Sequence, residues 1–323
     1  MIRVLITGLT GFVGSHLAEY LFSLGNIEVH GLVRWRSPKD NIEHILDKVH
    51  LTYGDLLDAH SVFNCINSIQ PDFIFHLAAQ SYVVYSFQVP ASTLDINCLG
   101  TLNLLESIRT LKVACGYNPT IHICSSSEVY GQVDPENVPI REDCPFNPAS
   151  PYAVSKVTED MLGLQYWLSY QLKTIRTRMF THTGPRRGEV FVVSNFAKQI
   201  VEIERGLRPS TVHVGNLDSI RTFADVRDTV KAYWLLVNKC PPGEVYNIGG
   251  SVTMTIGDML KKLISFSHIK GIEIEVDKSR MRPSDVTLQV PCTDKFKKAT
   301  GWEPAIDFDT TLQDTLQYWR KKL

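Results

Sequence analysis

Tyr152 and Lys156 stand four residues apart in the run Ser150-Pro151-Tyr152-Ala153-Val154-Ser155-Lys156, and on a helix that spacing puts both on one face. Ser150 suits the cap of such a helix, and Pro151 suits its first turn, where a missing N–H costs nothing. The partial positive charge of a helix start and the full charge of Lys156 both favour the phenolate, which would make Tyr152 a general base near neutral pH. Upstream, Thr120 to Cys124 reads as a strand that delivers Ser125-Ser126-Ser127-Glu128 at its carboxyl end. Hydroxyls there can hydrogen-bond a substrate hydroxyl, and a carboxylate beside them can take a proton from carbon or return one. The plainer alternative has the serines satisfying loop backbone and Glu128 in solvent.

These residues need a frame, and the N-terminus supplies one. Arg3 to Thr7 is a short apolar strand, followed by Gly8-Leu9-Thr10-Gly11-Phe12-Val13-Gly14 and a helical pattern from Ser15 to Leu24. Glycines at a strand-to-helix turn let backbone approach a pyrophosphate, whose charge the helix start stabilises. A second strand, Glu28 to Val33, ends in Arg34-Trp35-Arg36 with no carboxylate to hold a ribose 2′-OH. Arg34 and Arg36 suit a 2′-phosphate, which favours NADP over NAD; the alternative is two solvated arginines. After a strand at His50 to Tyr53, Asp55 can accept from an adenine amino group with Leu56 packed on the ring, or it can cap the next helix.

Pro71 to Ala79 reads as a buried parallel strand. The small residues at its end, with Leu77, Ala78 and Ala79, would let a dinucleotide lie across the strand ends. His76 within it is a hydrogen-bonded core histidine rather than a base. Ala91 to Thr110 is an amphipathic helix carrying Asn97, whose side chain can anchor backbone. Beyond Lys156, helices are expected at Phe191 to Arg205, Ala224 to Val237, Thr255 to Phe266 and Phe308 to Lys321, with strands at Thr211 to Val214, Glu244 to Ile248 and Ile272 to Val276. Arg187, Arg221 and Arg282 fall in stretches without periodicity, and their convergence on one pocket would suit a diphosphate.

The alternation predicts an α/β fold: a Rossmann-type doubly wound parallel sheet with a smaller, interleaved C-terminal α/β substrate domain. Residues 1–180, with a return near 221–250, would bind NADP, and 181–323 would mainly hold substrate. The 323 residues carry a formal net charge of -1 and no long basic run, which argues against nucleic-acid or anionic-membrane partners. Seven scattered cysteines without a CxxC pair read as reduced thiols, with no metal site. The absence of a signal segment and of any apolar stretch long enough to span a bilayer predicts a cytoplasmic protein.

From Gly8 through Lys156 and on into the C-terminal third, the chain resembles the extended short-chain dehydrogenase/reductases that act on nucleotide sugars, most of all the GDP-mannose 4,6-dehydratases. The G-x-x-G-x-x-G spacing, Tyr53-Gly54-Asp55-Leu56, Ala79-Gln80-Ser81, Ser86-Phe87, Ser126-Ser127-Glu128, the Tyr152/Lys156 run, Arg186-Arg187-Gly188 and Arg282-Pro283-Ser284-Asp285 carry the resemblance. It implies a redox-neutral dehydration in which Tyr152 takes the C4 hydroxyl proton, Ser126 holds that hydroxyl, Lys156 holds the nicotinamide ribose and the phenolate, and Glu128 takes the C5 proton and helps expel the C6 hydroxyl. It further implies NADP contacts from Gly8, Thr10, Gly11, Phe12, Val13, Arg34, Arg36, Asp55, Leu56 and Leu77 to Ala79. Substrate contacts are implied for Ser81, Ser86, Ser127, Thr181, Arg187, Lys198, Arg221 and Arg282, and so is a homodimer through helices near 91–110 and 152–170 or a homotetramer through 34–41. Thr181 replaces an asparagine that usually contacts phosphate in these enzymes, which admits a GDP-heptose beside GDP-mannose. The segments at Val214 to Leu217 and Arg221 to Asp228 are closer to the GDP-4-keto-6-deoxymannose reductases, so the rival reading is a 4-ketoreductase or epimerase of the same fold. A dinucleotide sensor without chemistry is a third.

Overall fold

The computed structural model describes residues 1–281 and 284–323. The chain opens with β1 (Ile2–Thr7), α1 (Phe12–Leu24), β2 (Ile27–Val33), β3 (His50–Tyr53), α2 (Ala59–Ile69) and β4 (Phe73–His76). Two short helices follow, α3 (Val83–Gln88) and α4 (Pro90–Leu94), the second continuing through a π turn at Asp95–Leu99 into α5 (Gly100–Cys115). Then come β5 (Thr120–Ser126), α6 (Pro151–Tyr170), β6 (Lys173–Met179), β7 (His182–Thr183), α7 (Val192–Glu204), β8 (Thr211–Val214) and β9 (Ile220–Asp225). The chain ends with α8 (Val226–Lys239), β10 (Val245–Ile248), β11 (Val252–Thr255), α9 (Ile256–Ser265), β12 (Glu273–Val276), β13 (Leu288–Gln289), α10 (Asp294–Thr300) and α11 (Phe308–Lys322).

Seven strands form one parallel sheet in the order β10-β6-β5-β4-β1-β2-β3. Successive residues of β1 serve opposite faces: Val4 and Ile6 join the core beneath α1 and α8, while Leu5 joins Ile74, Val62, Leu104 and Ile108 beneath α2 and α5. Strand order reverses between β1 and β4, which opens a crevice over their carboxyl ends. The expected Rossmann-type α/β fold is thus the observed one.

Beyond β6 the chain alternates between two bodies. β7 and β9 pair beside one another, and β9 also pairs with β11 and β13 in a small sheet. From Val226 onward α8 and β10 return to the large sheet, and β12 then pairs with β8. Helices α7, α9 and α11 enclose a separate core around Phe196, Ile200, Leu260, Leu263, Leu312 and Leu316.

Several boundaries differ from the sequence expectations for identifiable reasons. α1 starts at Phe12 rather than Ser15, because extended Gly11 caps it directly. The strand expected over Pro71 to Ala79 pairs only from Phe73 to His76; past it, the Leu77 and Ala78 amides donate to the Thr7 hydroxyl at 3.1 and 3.2 Å and leave the ladder. The helix expected at 91–110 contains the π turn. Asp58, not Asp55, caps α2, accepting from the His60 and Ser61 amides. Arg221 lies not in an irregular stretch but within β9, which is buried on both faces from Arg221 to Asp225 and so shows no period of two. Asp225 then caps α8, displacing its start from Ala224 to Val226.

Candidate active site

The turn between β1 and α1 is built for close approach of backbone. Gly8 has φ +75°, and a Cβ there would sit 3.0 Å from Ala78 backbone; a Cβ on Gly14 would meet the Gly8 carbonyl oxygen at 2.3 Å. No side chain caps α1, so its first-turn amides face the crevice without a side-chain acceptor. Gly8, Thr10, Gly11, Phe12 and Val13 line a cleft of about 860 Å³ that continues past Arg34, Asp55, Leu56, Leu77, Ala78 and Ala79. A glycine cradle, a helix start and an adjacent guanidinium fit a dinucleotide phosphate chain. Arg36 does not reach this wall; its guanidinium lies 4.8 Å from the centre of the exposed Trp35 ring. The Asp55 carboxylate accepts the Leu57 amide at 3.0 Å while lining the cleft.

At the middle of the cleft β5 and α6 meet. Ser150 caps α6 by accepting the Ala153 amide at 3.0 Å, with Pro151 in the first turn. Tyr152 and Lys156 are both buried and both line the cleft, with the Lys156 Nζ 5.9 Å from the ring centre. Lys156 donates to the Cys124 carbonyl at 2.9 Å and to Glu159 Oε2 at 2.8 Å. Ser126, the last residue of β5, lines the cleft with Tyr152 and accepts the Glu128 amide at 3.2 Å. Burial pushes the Tyr152 phenol up from its ordinary value, against the pull of Lys156 and Ser126. The charge of Lys156 therefore acts as expected in sign but does not by itself yield a phenolate near neutrality, because desolvation outweighs it. A bound cationic ring would add to the pull. Glu128 sits just beyond Ser126, half-buried, and is not part of the cleft wall.

The π turn fixes the opposite wall. Asn97 accepts the Gln80 amide at 2.8 Å, donates to the Gln80 carbonyl at 3.0 Å and donates to Ser155 Oγ at 2.8 Å, so one side chain ties the loop after β4 to α6. His76, the residue read as a core histidine, bonds Thr7 and Thr101 at 3.0 Å each, and burial lowers its pKa to about 3.

Of the residues expected to touch substrate, Ser81 and Arg187 line the cleft. The Arg187 guanidinium lies 3.7 Å from the centre of the Phe191 ring and 4.9 Å from that of Phe12, and although burial lowers its pKa to about 10 it stays protonated at neutral pH. The others among the described residues lie off the cleft wall. Ser86 is fully buried and donates to the Val83 carbonyl at 2.6 Å. Ser127 donates to Gln289 at 2.9 Å. Thr181 contributes its carbonyl to Ala224 at 2.9 Å. Lys198 pairs with Glu189 and Glu202 on the surface of α7. Arg221 donates to the Ile220 and Val286 carbonyls. The expected convergence of three arginines is therefore represented at the cleft by Arg187; Arg282 lies outside the described residues.

The sequence reading passed over Glu159, although its i+3 spacing from Lys156 was a usable signal. It also passed over Met179, His182 and Phe191, which line the cleft from loops and strand ends that carry no periodicity.

The family model described as GDP-mannose 4,6 dehydratase matches residues 5–315. A GDP-6-deoxy-D-mannose reductase of Pseudomonas aeruginosa is 33% identical over 99% of this chain and 98% of its own. GDP-mannose 4,6 dehydratase 2 of Arabidopsis thaliana is 35% identical over 94% of this chain and 83% of its own. Among solved structures, RMD from Pseudomonas aeruginosa complexed with NADPH superposes with a TM-score of 0.85 at 32% identity, covering 100% of both chains.

Proposed function

The chain belongs to the GDP-mannose 4,6-dehydratase family, and from that premise we propose that it is an NADP-dependent lyase that converts a GDP-sugar, GDP-mannose first among them and a GDP-heptose second, to its 4-keto-6-deoxy product. The observation that carries the reading is the meeting of Ser126, Tyr152 and Lys156 in one cleft with the glycine turn at the start of α1. NADP, when bound, supplies the hydride acceptor for C4 and the hydride donor for C6. Tyr152 takes the C4 hydroxyl proton while Ser126 fixes that hydroxyl. Lys156, tethered by the Cys124 carbonyl and Glu159, orients the ribose and stabilises negative charge on Tyr152. With C4 a ketone, the C5 proton is acidic; Glu128, two residues past Ser126 and off the cleft wall described above, takes it and passes it to the departing C6 hydroxyl, and a solvent-derived proton returns to C5. Arg187, held between two rings on the cleft wall, is the cation for the diphosphate.

Incubation with GDP-mannose and catalytic NADP+ in deuterated water tests this directly. Loss of one water with deuterium gained at C5 is the expected result; an unchanged nucleotide sugar in the presence of either GDP-mannose or a GDP-heptose would overturn it. The match to the Pseudomonas aeruginosa reductase along nearly the whole chain favours a second reading, a GDP-4-keto-6-deoxy-sugar reductase. Stoichiometry separates them, since a reductase consumes one NADPH per product and a dehydratase consumes none.

The exposed apolar side chains Leu99, Val154 and Leu168 lie on the two helical segments named for self-association and support a homodimer through them. Seven free cysteines and a nucleotide-sugar substrate support a cytoplasmic location. Among the described residues no helix is long and apolar enough to cross a membrane.

A further inference from the structure

Two neighbouring carboxylates on α6 face inward and are treated differently by the fold. Asp160 is fully buried and paired through both oxygens, with Arg176 and Arg178 at 2.8 Å each, which fastens α6 to β6. Glu159, at 1% exposure, pairs through Oε2 with Lys156, while its Oε1 is buried with no hydrogen-bond partner among the described residues. An ion pair serving only stability would be expected to satisfy both oxygens, because a buried carboxylate oxygen left unmatched is costly. Glu159 is instead attached solely, among those residues, to the lysine of the reacting pair.

Building on the reading of Tyr152 as the proton-transferring group, we propose that Glu159 is a positioning residue for the Tyr152–Lys156 pair: it fixes the ammonium at the end of β5, and its negative charge sets how readily Tyr152 ionises. A lysine ammonium has three N–H bonds. One goes to the Cys124 carbonyl and one to Glu159, and the third is left for the cleft that Lys156 lines. The same carboxylate opposes the phenolate that Lys156 favours.

The other titratable groups around the pair leave that opposition intact. His76 from β4 and His122 from β5 are neutral, held there by burial at about 3. Burial raises Cys98 at the π turn, Cys124 on β5 and Tyr233 on α8, so these stay protonated. Asp160 is engaged by Arg176 and Arg178. Lys156, Glu159 and, across the cleft, Arg187 act on the phenol, and Glu128, on the turn after β5, is a further carboxylate close to Ser126. Burial pushes the Glu159 carboxyl up to about 7, so it is ionised wherever the phenol titrates above that.

The test is an ultraviolet difference titration of the Tyr152 phenolate in enzyme saturated with NADP+, each protein read against its Tyr152→Phe counterpart, so that no sugar substrate is required. Glu159→Gln keeps a hydrogen bond to Lys156 and removes the charge; its midpoint should fall by about one pH unit. Glu159→Asp keeps the charge and shortens the reach; its midpoint should stay near that of the wild type while the NADP+ dissociation constant rises several-fold. An unmoved midpoint in Glu159→Gln overturns the proposal. If that variant does not fold, NADP+ affinity in Glu159→Asp equal to the wild type overturns it instead. Failure of the underlying reading shows separately, as wild-type turnover by Tyr152→Phe.

Discussion

At the residue scale the chemistry rests on how burial and charge are balanced around a few side chains. Tyr152 is raised by desolvation and lowered by Lys156 and Ser126, so its ionisation is set by the balance between burial and these two neighbours. Replacing it by phenylalanine removes the proton acceptor and leaves the wall of the cleft in place. The kcat of Tyr152→Phe should drop by roughly 10²–10⁴ with NADP+ affinity little changed, as measured by steady-state kinetics and fluorescence titration. Glu128 has a later duty. Glu128→Gln should retain NADP+ binding and lose deuterium exchange at C5, and normal turnover in that variant would remove Glu128 from the reaction. The meeting of Ser126, Tyr152 and Lys156 was open to sequence reasoning because the groups lie at helix-face and strand-end positions with fixed spacing. The engagement of Ser127 and Arg221 was not, because their partners, Gln289 for Ser127 and the Val286 carbonyl for Arg221, are remote in sequence; Ser86 and Lys198 are taken up by near neighbours, the Val83 carbonyl and Glu189 with Glu202.

At the scale of elements, the site is assembled from one turn and two junctions. The β1–α1 turn fixes its glycines by close approach: Gly14→Ala would place a methyl 2.3 Å from the Gly8 carbonyl oxygen. Calorimetry should therefore find NADP+ affinity reduced at least tenfold in Gly14→Ala, from a turn forced away from α1; unchanged affinity would mean that the turn does not cradle the dinucleotide. The π turn in the helix that follows places Asn97 so that it reaches both Gln80 and Ser155, and π turns of this sort occur often at functional sites. Its existence is invisible to a period of 3.6, since one extra residue in a turn shifts the phase without changing composition. The cap of α6, by contrast, was legible, because Ser150 satisfies its helix locally.

At the scale of the whole molecule, the buried histidines tie stability to pH. His16, His76 and His122 are held neutral by burial, with pKa values lowered from 6.5 to about 4, 3 and 3. The unfolded chain binds protons at these sites well before the folded chain does, so the stability they contribute is present above pH 6.5 and is lost as pH falls from there toward 4 and 3. Near pH 5.5 each should cost about 1.4 kcal/mol. Urea unfolding at about pH 7.5 and 5.5 should show a lower midpoint at the acid value, reduced in part by His122→Asn. The exposed apolar residues of α5 and α6 lead to a prediction about assembly. Light scattering should give a mass near twice 36.5 kDa, and Leu168→Glu, on a side chain 64% exposed, should shift it toward one chain.

By itself the sequence determined the alternation of strand and helix, the glycine turn, the serine-capped helix with Tyr152 and Lys156 on one face, and the family to which these belong. Each of these is a matter of local spacing, fixed by backbone geometry within a few residues. Only the tertiary structure decided which polar groups reach the cleft and which are taken up elsewhere. It brought Glu159 to Lys156 inside the core, engaged Arg221 with backbone, placed β9 in the small sheet and returned α8 to the large one. Those outcomes depend on which surfaces are buried against one another, and desolvation, which governs both the pairing of charges and the ionisation of Tyr152, is a property of the packed molecule that no short stretch of chain carries.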